Sequence, residues 1–581
     1  MVEQNLLNLV SAQPIAHSMP RKPLGIGLVS RGAITQSQLQ QALKLQTTQN
    51  TQLGEIIVGQ GWTDRGAVLD ALSEQSGVPI ADLQNIVPSP KLCEIKPVEF
   101  WLKHNVIPWM RMGPIILVAT ARPDHFDIVA EQLREDDLRF IPVLAESAQI
   151  DRAISACFSP ALARFAETRV ADNQSCRNWQ PRPPAALIAF RAALLLVFLA
   201  APATALALLF FLTVLTLIMF MALRVAGLLT FASNLFTVGD KCLNNYEADT
   251  RLPCVSVLVP LYKEREVASA LIERLQRLTY PKALLDVILV LEEKDEVTRN
   301  TLADVTLPNW MRVVEVPDLN GLTTKPRAMN YALDFCRGEI LGVWDAEDAP
   351  LPDQIEKVVD KFANAPDDVV CLQGALDFYN PRTNWRSRCF TIEYCSWFRV
   401  ILPGIARMGL VVPLGGTTFF FKRNRLIELG GWDAHNVTED ADLGVRLCRA
   451  GYRTEILNTA TYEEANFRAW PWVKQRSRWL KGFMVTYLVH MRAPLRLLKD
   501  LGPVKFFGVQ AFFLGTLGQF LLAPVLWVFW LTFLGISQPF QHVFSSAALI
   551  GFSALFLAAE LSNVLIGMVA VSSRERRFLI P

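Results

Sequence analysis

Charge is scarce in this sequence: Asp, Glu, Lys and Arg make up 19% of its 581 residues, where soluble chains carry about a quarter. The deficit is local. Between Arg191 and Arg224, and again between Lys505 and Glu560, there is no charged side chain. Stretches of that kind read as membrane-spanning. A formal net charge of +2 excludes a strongly basic nucleic-acid binder, and no nucleic-acid partner is expected. The ten cysteines include no CxxC, and the six histidines have no metal-ligand spacing, so neither zinc nor a disulfide framework is indicated. No GxxxxGK(S/T) occurs, which excludes a P-loop ATPase. The first twenty residues lack the basic, apolar, small order of a signal peptide, and none is expected.

Residues 1 to 20 read as disordered chain, and residues 21 to 78 hold a tandem repeat. At an offset of 29, Leu24, Gly25, Val29, Gly32, Ala42, Leu43 and Gln46 fall on Leu53, Gly54, Val58, Gly61, Ala71, Leu72 and Gln75. Each copy reads as a short helix, a terminating glycine and a second helix. Residues 79 to 158 alternate short apolar runs with helical stretches, as a small α+β subdomain does, and 159 to 183 read as a linker. The apolar stretch 184 to 231 is too long for one span: its charge-free part alone would make a helix of about 48 Å, against a hydrocarbon core of about 30 Å. A hairpin turning near Ala201-Pro202-Ala203 is expected, and a second over 504 to 573 turning at Gln538-Pro539-Phe540-Gln541. Two hairpins put both termini and the middle of the chain on one side. Arg182, Arg492, Arg496, Lys499, Lys505, Arg574, Arg576 and Arg577 make that side the cytosol. The cytosolic tail, 574 to 581, reads as the start of a further interfacial or spanning segment, truncated at Pro581.

Between the hairpins, 250 to 465 opens on Val255-Ser-Val-Leu-Val-Pro260 and, after a helix, Asp286-Val-Ile-Leu-Val-Leu291, the spacing of a parallel sheet. Glu292, Glu293 and Asp295 follow one strand, and Asp345, Glu347 and Asp348 another. Ligands bind beyond such strand ends, though a solvated turn explains the first cluster equally well. Carboxylates crowded into WDAED repel one another, and a divalent cation bridging a diphosphate relieves that repulsion. Val437-Thr-Glu-Asp440 precedes a helix, where a capping carboxylate is the plainer reading. Residues 466 to 503 mix Trp, Phe, Arg and Lys as short interfacial helices do. Within them, Gln475-Arg-Ser-Arg-Trp479 offers a planar cation for phosphate and an indole on which a sugar stacks.

VPLYKE, WDAED, GGWD followed by TED, and QRSRW, in this order, resemble the processive polysaccharide synthases of glycosyltransferase family 2, the group that includes bacterial cellulose synthase, over residues 184 to 573. The resemblance implies an α/β GT-A domain embedded between transmembrane hairpins, with the α+β module N-terminal to it. It implies inverting hexosyl transfer from a nucleotide-diphosphate sugar such as a UDP-sugar, with Mg or Mn. Glu292 and Glu293 take the nucleotide-binding place held by two aspartates in the family, and Lys325 and Asp345 contact the donor. Asp345, Glu347 and Asp348 bind metal, Asp440 is the general base, and Gln475, Arg478 and Trp479 lie at the acceptor and pyrophosphate. Glu at 292, 293 and 347 stands where the family has Asp. The implied partners are a growing extracellular polysaccharide, the lipid bilayer and envelope export proteins, in a multi-pass protein of the bacterial inner membrane with transferase and N-terminal domains in the cytosol. Single-sugar transfer to a lipid carrier and an inactive synthase-like scaffold or receptor are the alternatives. The repeat resembles the N-terminal domain of type II secretion and MSHA-pilus ATPases, which binds cyclic di-GMP in some members. Pro23 and Gln52 stand where that motif has arginine, so the module reads as docking or regulatory, with cyclic di-GMP binding disfavoured.

Overall fold

The computed structural model describes residues 22–49, 51–134, 138–179, 184–235, 251–265, 267–319, 321–572 and 576–580. The start expected to be disordered, with Arg182 and Arg574, lies outside them. Two compact units divide the chain, 1 to 158 and 159 to 581.

In the first unit, helices α1 (Leu24–Ser30), α2 (Gln36–Gln49), α3 (Leu53–Gly59) and α4 (Arg65–Ser76) realise the repeat position by position. A Cβ on Gly25 would stand 2.3 Å from Leu39 Cδ1, and one on Gly54 2.9 Å from Val68 Cγ1. Both pairs are related by the same 29-residue offset, so the first glycine of each copy permits the close approach of its two helices. Pro23 and Gln52 occupy the N-cap positions of α1 and α3 and make no side-chain capping bond there, and Arg31 is paired with Glu74 and Asp70. Strands β1 (Val106–Met112), β2 (Ile115–Thr120) and β3 (Arg139–Leu144) follow, with β2 central, antiparallel to β1 and parallel to β3.

Helix α5 (Ser147–Thr168) begins in the first unit and ends in the second. Residues 159 to 183 are thus not a free linker as far as they are described. Leu162, Ala163, Ala166 and Val170 are buried, continuing the helical period. Beyond the helix, Asp433 accepts from Ser175 Oγ at 2.8 Å and from the Cys176 amide at 2.7 Å. Two apolar helices come next, α6 (Pro184–Ala200) and α7 (Pro202–Leu235).

The α/β core comprises β4 (Val255–Leu261), β5 (Leu285–Glu292), β6 (Met311–Val316), α8 (Lys325–Leu333), β7 (Ile340–Val343), β8 (Ala349–Pro350), β9 (Val369–Phe378), α9 (Trp385–Cys395), β10 (Phe419–Lys422), α10 (Glu439–Arg449) and β11 (Arg453–Glu463). Its sheet has the order β6-β5-β4-β7-β10-β9-β11-β8, with β4 to β7 parallel and β10 antiparallel to both neighbours. Every residue of β5 is buried, as its nearly unbroken apolar run requires of a strand covered on both faces. From β4 the chain moves outward through β5 and β6, then returns on the other side with β7. The crevice beyond β4 and β7 is therefore the topological switch point where ligands bind in such sheets.

The last helices are α11 (Ala469–His490), α12 (Pro494–Leu521), α13 (Ala523–Phe533) and α14 (Ser546–Ala570). Among the described residues, three helices are long and apolar enough to cross a membrane: α7, α12 and α14. α7 runs against α12, with Gly515 at Phe220 and Gly518 at Thr216. At one end of α7, Phe210 sits among Phe529, Phe540, Phe544 and Phe552; toward the other, Gly227 meets Ile401 and Gly404. The expected first break falls at Ala201, with Pro202 opening α7, but the two limbs do not pack as a pair, since 188 to 200 are exposed throughout. The second turn falls at Pro539–His542. Among the described residues of the tail, Arg576 reaches Asp377 at 2.9 Å and Leu579 O accepts from Arg388 at 3.0 Å, docking it on the α/β core.

Candidate active site

A cavity of about 340 Å³ opens at the switch point. Tyr262 and Glu264 reach it from the end of β4, Glu292 from β5, Asp345 and Glu347 from β7, and Lys325 from the start of α8. Local sequence dictates the last placement. Thr324 caps α8, its side chain accepting from the Arg327 amide, and Pro326 fits the first turn, where its missing N–H costs nothing. Lys325 is thereby held at the mouth, its Nζ 2.5 Å from Asp345 Oδ1 and 2.9 Å from Gly416 O. Burial opposes its charge, but Asp345, Glu439 and Asp440 outweigh that and raise its pKa.

Asp348, expected as a metal ligand, turns inward instead. Its Oδ2 accepts from the Asp345 amide at 2.7 Å and from the Thr417 hydroxyl, so it braces the turn that presents Asp345. Burial, with Asp345 adding, pushes its carboxyl up. The following residue, Thr418, is buried and β-branched yet has φ 59°, a conformation that persists only where surroundings enforce it. Of the first acidic cluster, Glu292 lines the cavity. Glu293 does not: it is exposed and accepts from the Asp318 amide. Asp295 caps the next helix through the Thr298 amide.

Asp440 lies in the first turn of α10, Oδ1 accepting from the Ala441 amide at 2.8 Å. Its Oδ2 is 3.7 Å from where a Cβ on Gly416 would stand, beside the carbonyl that holds Lys325. Burial pushes its carboxyl up to about 6, against the pull of the Ala441 amide and Lys325. A second cavity, about 480 Å³, is lined by Phe378, Phe390, Glu463, Glu464, Asn466 and Gln475, and shares Glu347 with the first. Gln475 accepts from Asn466 at 2.8 Å. Burial, reinforced by Asp348, Asp345 and Glu347, holds the Glu463 carboxyl well above the ordinary carboxylate range. Its neutral form is a hydrogen-bond donor as well as an acceptor. Of the rest of the QxxRW run, Arg478 is exposed, and Trp479 joins an aromatic cluster with Tyr394 and with Phe390 of the cavity lining. The neighbouring Arg476 stacks on Phe390, Trp472 and Trp479 and pairs with Glu393.

Sequence reasoning named neither Arg327 nor Glu463, and named Glu264 only within VPLYKE. Arg327 carried one signal: a cation beside proline in the first turn of a helix, where the helix dipole disfavours it.

Residues 253–482 match the family model described as glycosyltransferase like family 2, and 76–164 that described as the MshEN domain. Over those spans the chain is similar to a family 2 glycosyltransferase domain and to an MshEN domain, the latter match starting at the last residue of α4. The probable glycosyltransferase YdaM of Bacillus subtilis (strain 168) is 25% identical over 233 residues, 40% of this chain and 55% of the relative. The beta-monoglucosyldiacylglycerol synthase of Trichormus variabilis is 27% identical over 245 residues, 42% of this chain and 51% of the relative. Among solved structures, the mannosyltransferase PcManGT of Pyrobaculum calidifontis in complex with GDP-Man and Mn2+ is 19% identical, covers 61% of this chain and 99% of that one, and has a TM-score of 0.40. The chain spans about half the length of the curated relatives it matches.

Proposed function

We propose that this protein is a membrane-embedded, inverting glycosyltransferase that extends a polysaccharide from a nucleotide-diphosphate sugar, with its transferase face in the bacterial cytosol. The observation that carries this reading is the pair of cavities sharing Glu347: the first is a donor site at the switch point, the second an acceptor site floored by aromatic rings. The acceptor hydroxyl is a poor nucleophile, and Asp440, ionised above about pH 6, takes its proton as it attacks. Lys325, swung from Asp345, meets the departing diphosphate. Asp345 and Glu347 fit a hard divalent cation. Among the described residues no three His, Cys, Asp or Glu side chains converge into a cage, so the remaining ligands would come from diphosphate and water. Bound there, Mg or Mn would supply neutralising charge to the leaving group.

Reach supports the proposed membrane topology. Trp179 lies under Arg492 on the transferase, whereas the start of α7 lies near Phe540. Helix α6 is about 25 Å long, a length that suits its running between the two levels. The segments before α6 and after α14 both pack on the α/β core, which favours an even number of crossings on either side of it. In this arrangement the exposed flank of α6 faces lipid. The N-terminal unit is a docking or regulatory module.

The lipid-synthesising relative favours a second reading, transfer of a single sugar to a lipid. Membranes incubated with labelled UDP-sugars and GDP-mannose separate the two. Products of rising length support polymerisation, one glycolipid supports the second reading, and no transfer removes both.

A further inference from the structure

The donor cavity is supported by a residue far outside the matched transferase segment. Arg327 is only 1% exposed and its guanidinium is committed in three directions. Nε donates to Glu167 Oε1 at 3.0 Å, Nη1 to Glu292 Oε2 at 3.2 Å, and Nη2 to Pro317 O. Glu167 stands in the last turn of α5, and two neighbours clamp the same helix α8. Ala166 O accepts from Asn330 Nδ2 at 2.9 Å, and Arg169 donates to Asn330 O at 2.9 Å and meets Asp334 at 2.8 Å. Glu292 lines the cavity and is 7% exposed, and its Oε1 is a buried oxygen without a hydrogen-bond partner among the described residues. Buried carboxylate oxygens are costly to leave unmatched.

Arginine stays charged, and its planar fork favours two parallel bonds to one carboxylate. With Nε held by Glu167 and Nη2 by Pro317 O, the guanidinium is fixed with Nη1 alone toward Glu292, no fork closes on that carboxylate, and one Glu292 oxygen is kept spare. We infer that Glu167 is a positioning residue for donor binding: by fixing the guanidinium of Arg327 so that only Nη1 faces Glu292, it leaves Glu292 Oε1 to accept an imide N–H from the donor's base. Uracil and guanine carry such an N–H beside a carbonyl, whereas adenine and cytosine present a bare ring nitrogen at the equivalent place. The inference rests on the proposal that the first cavity is the donor site.

The test uses the full-length protein in detergent or nanodiscs, with UDP, GDP, ADP and CDP as probes in the presence of Mn2+. Wild type is expected to bind UDP or GDP in preference to ADP and CDP. Glu167→Gln should weaken the preferred nucleotide about tenfold, the loss of one charge-assisted contact, and narrow the discrimination. The donor KM should rise with kcat within about twofold, and Glu167→Asp should recover most of the affinity. Unchanged affinity and discrimination in Glu167→Gln would overturn the inference. So would equal losses in KM and kcat accompanied by a lowered unfolding temperature that Asp does not restore, which mark a purely structural role. A wild-type protein that binds none of the four would remove the donor-site reading itself, and this inference with it.

Discussion

Lys325 Nζ stands 2.5 Å from Asp345 Oδ1, so a side-chain cation already occupies the carboxylate assigned to the metal. A metal bound there would compete with the lysine for that oxygen until a diphosphate gave the ammonium another partner. Lys325→Met should therefore bind Mn2+ several-fold more tightly without nucleotide, yet lose about tenfold in affinity for a nucleoside diphosphate. Electron paramagnetic titration of free Mn2+ measures the first effect and calorimetry the second. Equal weakening of both would contradict the competition.

Asp440 is assigned as the base, and only its ionised form accepts a proton. Because burial raises its carboxyl to about 6, turnover should climb as pH rises through that value and level off above it. Asp440→Asn should cut turnover by a factor of about 10²–10⁴ while leaving UDP or GDP affinity nearly unchanged. A pH–rate profile that is flat between 5 and 7 in wild type would refute the assignment.

The sheet contains a buried charge pair away from the cavity. Asp286 accepts from Arg312 Nε at 2.7 Å and from Ser256 Oγ at 2.8 Å. Burial works against its charge, but Arg312 prevails and holds the carboxyl below its usual range. Its folded pKa thus lies under the unfolded one, so the stabilisation is complete above about pH 4 and is lost as pH falls toward the folded value. Asp286→Asn should cost about 3 kcal/mol at pH 7, as breaking a buried pair does. The gap in unfolding temperature between the two proteins should narrow as the pH is lowered to 3.

Topology is open to direct chemistry. Cys389 is exposed on the transferase side, and Gln541 is exposed in the turn between α13 and α14. In intact cells an impermeant maleimide should label Gln541→Cys and leave Cys389 unmodified until the membrane is opened. Labelling of Cys389 first would reverse the orientation.

Strand ends and their acids were legible because a parallel sheet demands unbroken apolar runs, and β4, β5 and β7 supply them. Asp345, Lys325 and Glu292 fell where strand order required. What sequence could not supply was the direction of adjacent side chains. Asp345 and Asp348 are three residues apart, yet one faces the cavity and the other braces the turn through Thr417, a residue 69 positions on. Residues 159 to 183 read as linker because they are rich in Ala, Arg, Asn and Pro, and nothing local announces that Asp433 will tie down Ser175. The tandem repeat was the reverse case: its glycines recur because the same helix contact is built twice.

Arg576 completes the charge balance around Asp377, a carboxylate laid down 199 residues earlier and wholly enclosed. Until the ribosome has delivered α12, α13 and α14, Asp377 has Arg399 as its cationic partner and lacks its second guanidinium. The α/β core therefore reaches its full set of contacts at Asp377 only after the apolar helices have been made, and a chain cut before Arg576 leaves that buried carboxylate with one guanidinium fewer.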